Sequence, residues 1–474
     1  MKGKKQLIFS ALIALTAFSV FRVIAQEGGA LVFMHAGVIP MTREVVLQDY
    51  SVVVEGGRII EVAPSSAVAI PRGARIIDAR GKFLIPGLSD MHVHLEGDAW
   101  NIMFGEEPRF SSDEISFEDI LFLFLAKGIT AIDVLFAFPE HLVLREKIRN
   151  KEMLGPRLVL SRMIDGAGRA WPPPLGVWVN DTSQAKAAVL QAHKEGYDRI
   201  KVYSFLSKEA YDAIIATAKE LGMPVDGHVP FSTSVEQVLS SKQSMIAHVE
   251  EIMKFAKDYS PSQVEYFASL VANSNTRVTS SLILNRNLNA LLVDSAGQFS
   301  KPGTEFLQPM AFGIWKFVYD NIYKHIPASD RRALIDGYNH FQKPFTYQFY
   351  KKGGKLLIGT DALVPSTLPA FSLHEELAEP VDAGLSPFEA LKVSTTNTYA
   401  FLGELERSGT IEPGKLANLV LLEANPLDNI SHTQNIEGVM TQNRWLPKTE
   451  IDRRLDEMRL AYAQLKARKF REPE

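Results

Sequence analysis

The sequence predicts an α/β fold: a closed (β/α)8 barrel, of the TIM type, with a small β domain built from both chain ends. Eight short apolar strand patterns alternate with helical patterns along the middle of the chain. Strand patterns cluster again at the two ends, and glycines follow many of the predicted helices. At 474 residues, the chain is long enough for one large unit with an accessory domain.

The first 25 residues have the pattern of a secretory leader. Lys2, Lys4 and Lys5 precede an apolar run over 7–21, and Ala25 offers a small residue for cleavage. The run is shorter than the roughly 20 residues that cross a bilayer. We therefore predict a signal peptide over 1–25 and a secreted or periplasmic protein, with an uncleaved anchor as the alternative.

Composition narrows the possible chemistry. The formal net charge of −4 gives no reason to expect a nucleic-acid partner. The chain has 0 cysteines, which excludes disulfides, thiolate zinc sites and a cysteine nucleophile. Hydrophobic residues make up 46% and charged residues 22%, which is ordinary for a globular protein with a sizeable core.

The predicted β domain combines residues 26–86 with residues 405–447. Its first part contains "ALVFMHAGVI", the segment "YSVVVEGGRIIEVAP" and "ARIIDARGKFLIPGL". Gly56 and Gly57 separate two β-branched runs in the second of these segments, which predicts a hairpin. The second part contains "GTIEPGKLANLVLLEANPL" and "IEGVMTQNRWLP", which return to a strand pattern.

The predicted barrel covers residues 87–404. Its eight strand patterns are "LSDMHVHL", "ITAIDVL" (129–135), "RLVLSRM" (157–163), "DRIKVYSF" (198–205), "MPVDGHV" (223–229), "SMIAHVEE" (244–251), "TRVTSSLIL" (276–284) and "KLLIGTDAL" (355–363). An aromatic-rich insertion, predicted to be helical, lies between the last two strands at about 285–354. Residues 448–474 follow a helical spacing. This helix docks on its own chain or, alternatively, forms a dimer contact in a homo-oligomer.

Six polar residues stand out because each lies at or near the end of a predicted barrel strand. They are His92, His94, Lys201, His228, His248 and Asp361. In such a barrel the carboxyl ends of the strands meet at one mouth, where the chemistry takes place. Each residue alone has an ordinary explanation: a buried histidine, a lysine with a packed stem, or an aspartate that caps a helix. Together, on five strands, they predict a metal site.

The residue types indicate which metals fit. Imidazole and carboxylate suit Zn²⁺, Mn²⁺, Fe²⁺ or Co²⁺. A lysine ammonium repels a divalent ion, but its reaction with CO₂ gives a carbamate that is able to bridge two ions. Such a bridge leaves His92, His94 and Asp361 for one ion and His228 and His248 for the other. Two metals hold a bridging hydroxide at neutral pH, and Asp361 is then the catalytic residue that moves protons.

These motifs carry a family resemblance. "DMHVHL" after "IPGL", "DRIKVYSF", "DGHVPFS", "IAHVEE" and "GTDA" occur in this order, followed by "GTIEPGKLANLVLLEANPL". The sequence resembles the amidohydrolase superfamily of metal-dependent hydrolases over nearly all of residues 30–445. Within it, the sequence is similar to the branch of imidazolonepropionase-like proteins and Xaa-Pro dipeptidases with a carboxylated lysine. The resemblance implies paired metals, Asp361 as acid–base and a β-sandwich for the accessory domain.

Two positions depart from the family pattern. Asn418 stands where the family usually has aspartate, which puts the local strand packing in doubt but not catalysis. The loop "AGRAWPPPLGVWVN" (167–180) lacks a histidine that dipeptidase relatives often have. The substrate contacts of those relatives are therefore not carried over.

Substrate contacts are predicted at two residues. Tyr203 lies two residues past Lys201, on the same strand face, where it reaches a substrate carbonyl; otherwise it caps the barrel core. His374, just past the eighth strand, orients substrate or is an ordinary loop histidine. Trp171 is expected to wall an apolar pocket or to stiffen its loop. Arg169 and Arg286 are the nearest cations for a substrate carboxylate, and neither is assigned that role.

The predicted function is hydrolysis of C–N bonds in a small molecule or short peptide, as a secreted dipeptidase or N-acyl amino acid hydrolase. The alternative is a cyclic amide, lactone or ester hydrolase on the same binuclear site. These two share all metal ligands, so the sequence does not separate them. A non-catalytic relative is the third hypothesis, and it predicts lost ligands, whereas all six are present.

Overall fold

A computed structural model describes residues 29–105, 115–168 and 171–469. The predicted signal peptide over 1–25 lies outside the described residues, so the secreted or periplasmic location stays a prediction. Across the described ranges, no helix combines the length and the apolar character that a bilayer crossing requires.

The strands and helices follow the order that the sequence predicts. The strands are β1 (Leu31–Val38), β2 (Leu47–Glu55), β3 (Arg58–Pro64), β4 (Arg75–Asp78), β5 (Phe83–Pro86), β6 (Leu88–Val93), β7 (Ile129–Val134), β8 (Arg157–Gly166), β9 (Val177–Val179), β10 (Arg199–Val202), β11 (Val225–Gly227), β12 (Met245–Ile246), β13 (Arg277–Thr279), β14 (Leu356–Leu357), β15 (Leu419–Leu422), β16 (Ile436–Thr441) and β17 (Arg444–Pro447). The α-helices are α1 (Phe117–Ala126), α2 (Pro139–Arg149), α3 (Thr182–Glu195), α4 (Lys208–Glu220), α5 (Val235–Ser241), α6 (Glu250–Met253), α7 (Pro261–Ala272), α8 (Leu282–Val293), α9 (Ser295–Phe299), α10 (Pro309–Asn321), α11 (Ala328–Gly337), α12 (Lys343–Lys351), α13 (Phe371–Asp382), α14 (Pro387–Ser394), α15 (Thr396–Phe401) and α16 (Lys448–Lys469).

The barrel prediction is confirmed. Parallel neighbours run in the order β6, β7, β8, β10, β11, β12, β13 and β14. The sheet closes because β14 and the residues after it bond back to β6. The amide of Met91 donates to Ile358 O at 2.9 Å, and that of Asp361 donates to His92 O at 2.8 Å. This seam places the first and the last candidate ligands side by side.

Two residues make the seam possible. Gly359 lies so close to β6 that a Cβ on it would stand 2.7 Å from the Cβ of His92, so a larger residue would force the strands apart. The buried carboxylate of Asp90 accepts hydrogen bonds from the Thr360 hydroxyl at 2.7 Å, the Thr360 amide at 3.0 Å and the His92 amide at 3.2 Å. The seam therefore depends on side-chain bonds as well as on backbone pairing.

The two chain ends form one sheet, as predicted. Its strands run in the order β17, β16, β15, β5, β1, β2, β3, with β4 beside β1. The antiparallel pair β5–β15, in which Leu84 faces Leu421, joins the two ends. Phe33 and Trp445 pack edge to face in the sheet's own core, with ring centroids 5.1 Å apart. Asn418 lies next to β15 and accepts a hydrogen bond from Thr441 at 3.2 Å.

The insertion between β13 and β14 is helical and contains α8 to α12. It begins earlier than predicted: strand β13 ends at Thr279 and α8 starts at Leu282, so the predicted strand over 276–284 is too long. Glu376 on α13 is the cause. Its carboxylate accepts the amides of Leu282 at 3.1 Å and Ile283 at 2.6 Å, and it also bonds the Ser280 hydroxyl. Because the capping residue Glu376 lies 94 residues from Leu282, no local sequence pattern marks the start of α8.

Helix α16 packs on its own chain. Met458 and Tyr462 are buried on it, and the Tyr462 hydroxyl donates to Asp119 on α1 at 2.8 Å. The helix thereby ties the end of the chain to the outside of the barrel.

Replacement of Glu376 tests the long-range cap. In Glu376→Ala the two α8 amides and the Ser280 hydroxyl lose a buried acceptor, so the free energy of unfolding falls by about 2–4 kcal/mol. Urea denaturation followed by circular dichroism measures the change. The control is Glu265→Ala, since Glu265 is exposed on α7. Equal midpoints for the two variants would contradict the cap.

Candidate metal centre

All six candidate ligands lie at the carboxyl-terminal mouth of the barrel. His92 lies on β6 and Lys201 on β10. His94 directly follows β6 and His228 directly follows β11, while His248 and Asp361 lie within four residues of the ends of β12 and β14. Each of the six is buried, with at most 9% of its surface exposed. A buried group of this kind needs partners, because an unpaired charge or polar atom away from water is costly.

Asp361 is the centre of the group. Its Oδ1 lies 2.7 Å from His94 Nε2 and 3.1 Å from His92 Nε2, and its Oδ2 lies 3.8 Å from His248 Nε2. Lys201 Nζ lies 3.4 Å from His92 Nε2. Ligand atoms of His92, His248 and Asp361 all lie within 4.8 Å of one another. His92 and His248 therefore both lie beside the Asp361 carboxylate. The sequence predicts that these two histidines bind different ions, and the distances do not show such a division.

His228 lies at the edge of this group. Its ring centroid is 5.4 Å from that of His248. Its Nδ1 lies 2.8 Å from the Ser204 hydroxyl and 3.3 Å from Glu251 Oε1, whereas its Nε2 is buried without a hydrogen-bond partner among the described residues. Ser204 and Glu251 orient the ring, as partners of metal-bound histidines do. The strand pattern does not single out either residue, although Glu251 belongs to the motif "IAHVEE".

The backbone is strained at two of these residues. Asp361 has φ 57° and His248 has φ 71°, both in the left-handed region that non-glycine residues rarely adopt. Such conformations cost of order 1–3 kcal/mol each and cluster at functional sites. Both residues line the cavity at the barrel mouth.

Burial sets the charges of the group. It lowers the pKa of His92 and His228 well below 6.5 and lowers that of His94 and His248, so the imidazoles are neutral and have lone pairs for a ligand bond. Burial alone would raise the pKa of Asp361, but the surrounding histidines outweigh burial and hold it well below its ordinary value. The group therefore presents neutral imidazoles around an ionised carboxylate.

Burial also changes the chemistry of Lys201. Burial lowers its pKa to about 8, against the opposing charge of Asp361. About one lysine in ten is then neutral at pH 7, compared with about three in ten thousand at the ordinary pKa. Only the neutral amine reacts with CO₂. The donor types, the unpartnered Nε2 of His228 and this amine together fit a divalent metal centre.

A cavity of about 190 Å³ opens in front of the group. Aromatic and aliphatic side chains form most of its wall: Trp100, Phe136, Met163, Trp171, Leu284, Ile314, Val318, Leu363, Val364 and Pro365. A larger cavity of about 410 Å³ lies near the starts of β7 and β8, against the β domain, and holds none of the six residues. The smaller cavity is therefore the candidate active site, because the reactive groups face it.

The two predicted substrate contacts have different outcomes. Tyr203 lines the cavity, and its ring centroid lies 4.0 Å from that of His228. His374 does not reach the cavity: its Nδ1 bonds Thr433 Oγ1 at 3.0 Å, and its Nε2 bonds Lys127 O at 3.1 Å. The prediction of a substrate contact at His374 is therefore wrong, because both ring nitrogens are used in holding α13 to its neighbours.

Sequence comparison gives partial matches. Residues 316–446 match the model of the amidohydrolase family. An adenine deaminase of Deinococcus radiodurans is 42% identical over 74 residues, 15% of this chain and 13% of that protein. A 5-methylthioadenosine/S-adenosylhomocysteine deaminase of Symbiobacterium thermophilum is 30% identical over 155 residues, 29% of this chain and 34% of that protein. The chain thus spans only a minor part of the curated relatives that it matches.

Solved structures match the whole architecture. A putative prolidase from Bifidobacterium longum superimposes with a TM-score of 0.67 at 23% identity, over 91% of this chain and 99% of that chain. A Xaa-Pro dipeptidase with bound methionine in its active site gives 0.66 at 21%, over 88% and 100%. Bottromycin amidohydrolase gives 0.69 at 22%, over 91% and 90%. At these identities the similarity establishes the fold.

A pH titration of stability tests the buried role of His374. Burial lowers its folded pKa to about 3, so between pH 6.5 and 3 the unfolded chain binds a proton that the folded chain does not. Stability therefore falls as the pH falls, and this histidine contributes about 2 kcal/mol of the loss between pH 7 and 5. We expect His374→Gln to reduce this pH slope in urea denaturation, with metal content unchanged. The exposed His193→Gln is the control, and a variant slope equal to that of wild type would contradict the assignment.

Proposed function

We propose that the protein is a metal-dependent hydrolase of amide or peptide C–N bonds, because residues 316–446 match the amidohydrolase family model and the fold matches that of a putative prolidase. The substrates we propose are dipeptides or N-acyl amino acids. The observation that carries the proposal is the convergence of four histidines, one lysine and one aspartate at the barrel mouth, where all of them except His92 line a single cavity. The prolidase and dipeptidase names of the matched structures support the choice of bond.

The donor set defines what the site would hold. The six candidate ligands, with Lys201 as a carbamate, would hold two divalent ions, for which Zn²⁺ is the first choice and Mn²⁺, Fe²⁺ or Co²⁺ also suit. When bound, the metals supply a water of lowered pKa and polarise the substrate carbonyl. Ser204 and Glu251 would hold the ring of His228 in position.

The side chains of this chain perform the remaining steps. Asp361 is ionised, so its carboxylate is able to accept a proton from the attacking water and return it to the leaving nitrogen. Tyr203 lies in the cavity, and burial raises its pKa, so its hydroxyl stays a neutral donor for the carbonyl oxygen. The aromatic wall excludes bulk water, which strengthens both interactions.

The apolar wall also suits the alternative substrates of the same chemistry, cyclic amides, lactones or other esters. Turnover of a dipeptide and of a lactone by the same metal-loaded protein separates them, and a preference for the lactone would replace the first candidate with the second.

Metal analysis of Lys201→Ala tests the centre. We expect wild-type protein to bind two metal ions per chain. The variant is expected to lose bound metal and dipeptide hydrolysis together, because it lacks the amine that would form the carbamate ligand. Short carboxylic acids such as propionate are expected to restore part of both. Lys208→Ala is the control, since Lys208 is exposed on the helix that follows the same strand. Unchanged metal content in Lys201→Ala would rule out the bridging role.

Kinetics of Asp361→Asn test the acid–base role. The amide keeps the shape of the side chain but does not accept the proton, so kcat is expected to fall by about 10²–10⁴ at saturating metal. Stopped assays of the released amine measure the rate, and circular dichroism checks the fold. Asp212→Asn, on the surface of α4, is the control. A kcat within about threefold of wild type would contradict the role.

A further inference from the structure

One acidic side chain faces the cavity besides the candidate ligands. Among the described residues that line the cavity, the titratable side chains other than tyrosine are five of the six candidate ligands, all but His92, and the carboxylate of Glu250. The remaining polar side chains include the hydroxyls of Tyr203 and Tyr323. Arg169 lies outside the described residues. Apart from the candidate ligands, the described wall is thus mostly apolar and contains one acidic side chain, that of Glu250.

The insertion anchors this carboxylate. Glu250 begins α6, and its Oε2 accepts a hydrogen bond from Asn285 Nδ2 on α8 at 3.0 Å. Asn285 also donates to Gln342 at 3.2 Å. Neighbouring cations are used elsewhere, since Lys254 pairs with Glu251 and Arg286 pairs with Glu379 at 2.7 Å. Glu250 is therefore held by the hydrogen bond from Asn285, and neither Lys254 nor Arg286 is paired with its carboxylate.

The carboxylate lies beside the reacting end of the cavity. Glu250 is two residues past His248, which lies 3.8 Å from Asp361. Tyr323, from the insertion, lines the same cavity, and its pKa is raised by burial and by the charges of Asp361 and Glu250. Tyr323, Asp361 and Glu250 thus line one cavity. A side chain that recognises the substrate atoms next to the scissile bond has to lie here, beside the candidate metal ligands.

The sign of the charge selects the substrate. The α-nitrogen of an aminoacyl group is two bonds from its carbonyl carbon, so it reaches a carboxylate beside the metal centre. A negative charge in an apolar surrounding attracts an ammonium group and repels a carboxylate much more strongly than it would in water. The aromatic wall offers a place for an apolar side chain.

We propose that Glu250 recognises the free α-ammonium group of the substrate. The protein then acts on unblocked dipeptides and aminoacyl amides whose first residue is apolar, in preference to N-acyl amino acids. This inference rests on the proposed function, and it chooses between the two substrate classes named there.

A matched pair of substrates tests the inference on the metal-loaded wild-type protein. L-Phenylalanine p-nitroanilide and its N-acetyl derivative differ at the α-nitrogen, where one is charged and the other neutral. We expect kcat/KM to be about 10–100-fold higher for the free amine. Calorimetric titration with phenylalaninamide and N-acetylphenylalaninamide gives a readout without turnover, and only the first is expected to bind.

The variant Glu250→Gln assigns the effect to one residue. It is expected to raise KM for the free amine at least about tenfold, with a small change in kcat, and to leave the N-acetyl substrate and the metal content unchanged. Glu265→Gln on the exposed face of α7 is the control and is expected to behave as wild type.

Several results would overturn the inference and leave the proposed function intact. These are equal turnover of the two anilides by wild type, a preference for N-acetylphenylalanylglycine over phenylalanylglycine, or loss of metal from Glu250→Gln. Failure of the metal-loaded protein on every amide, with turnover of a lactone, would overturn the proposed function itself. Because the wild-type comparison needs no variant, the inference is tested even when Glu250→Gln does not fold.

Discussion

Closure of the barrel between β14 and β6 is the contact on which the site depends. The two strands are separated by more than 260 residues, and their pairing brings Asp361 against His92 and His94. The seam tolerates no side chain at Gly359, and it is held by the buried carboxylate of Asp90 on Thr360. The same few residues therefore stabilise the barrel and position the candidate ligands. A change that opens this seam would separate the Asp361 carboxylate from its histidines.

The sequence predicts those features of the fold and the site that follow from the pattern of strands. Each candidate ligand was placed by the rule that strand ends of a parallel barrel share one mouth, and the structure brings all six there. Burial was implied by the apolar runs around "DMHVHL" and "LIGTDA". The pairing of both chain ends in one sheet followed from strand patterns that had no barrel helices between them.

Features set by contacts far apart in sequence were not predictable. His374 follows the eighth strand, whose end lies at the mouth, but α13 turns its ring towards Thr433 and Lys127. The start of α8 depends on Glu376, and the orientation of His228 depends on Ser204 and Glu251. A residue pattern shows which face a side chain is on, but a hydrogen bond between distant segments is visible only once the chain has folded.

The barrel and the insertion contribute different parts of the candidate site. The barrel strands supply the neutral imidazoles, the low-pKa lysine and the ionised aspartate, and their positions are fixed by backbone pairing. The insertion supplies Tyr323, and Asn285 for the anchoring of Glu250, and its helices form one wall of the cavity. Because a helix in an insertion is able to change without disturbing a strand of the barrel, this division lets the cavity wall vary while the six residues at the barrel mouth keep their positions. The carboxylate of Glu250 lies where the two parts meet, since it follows a barrel ligand and is held by the insertion.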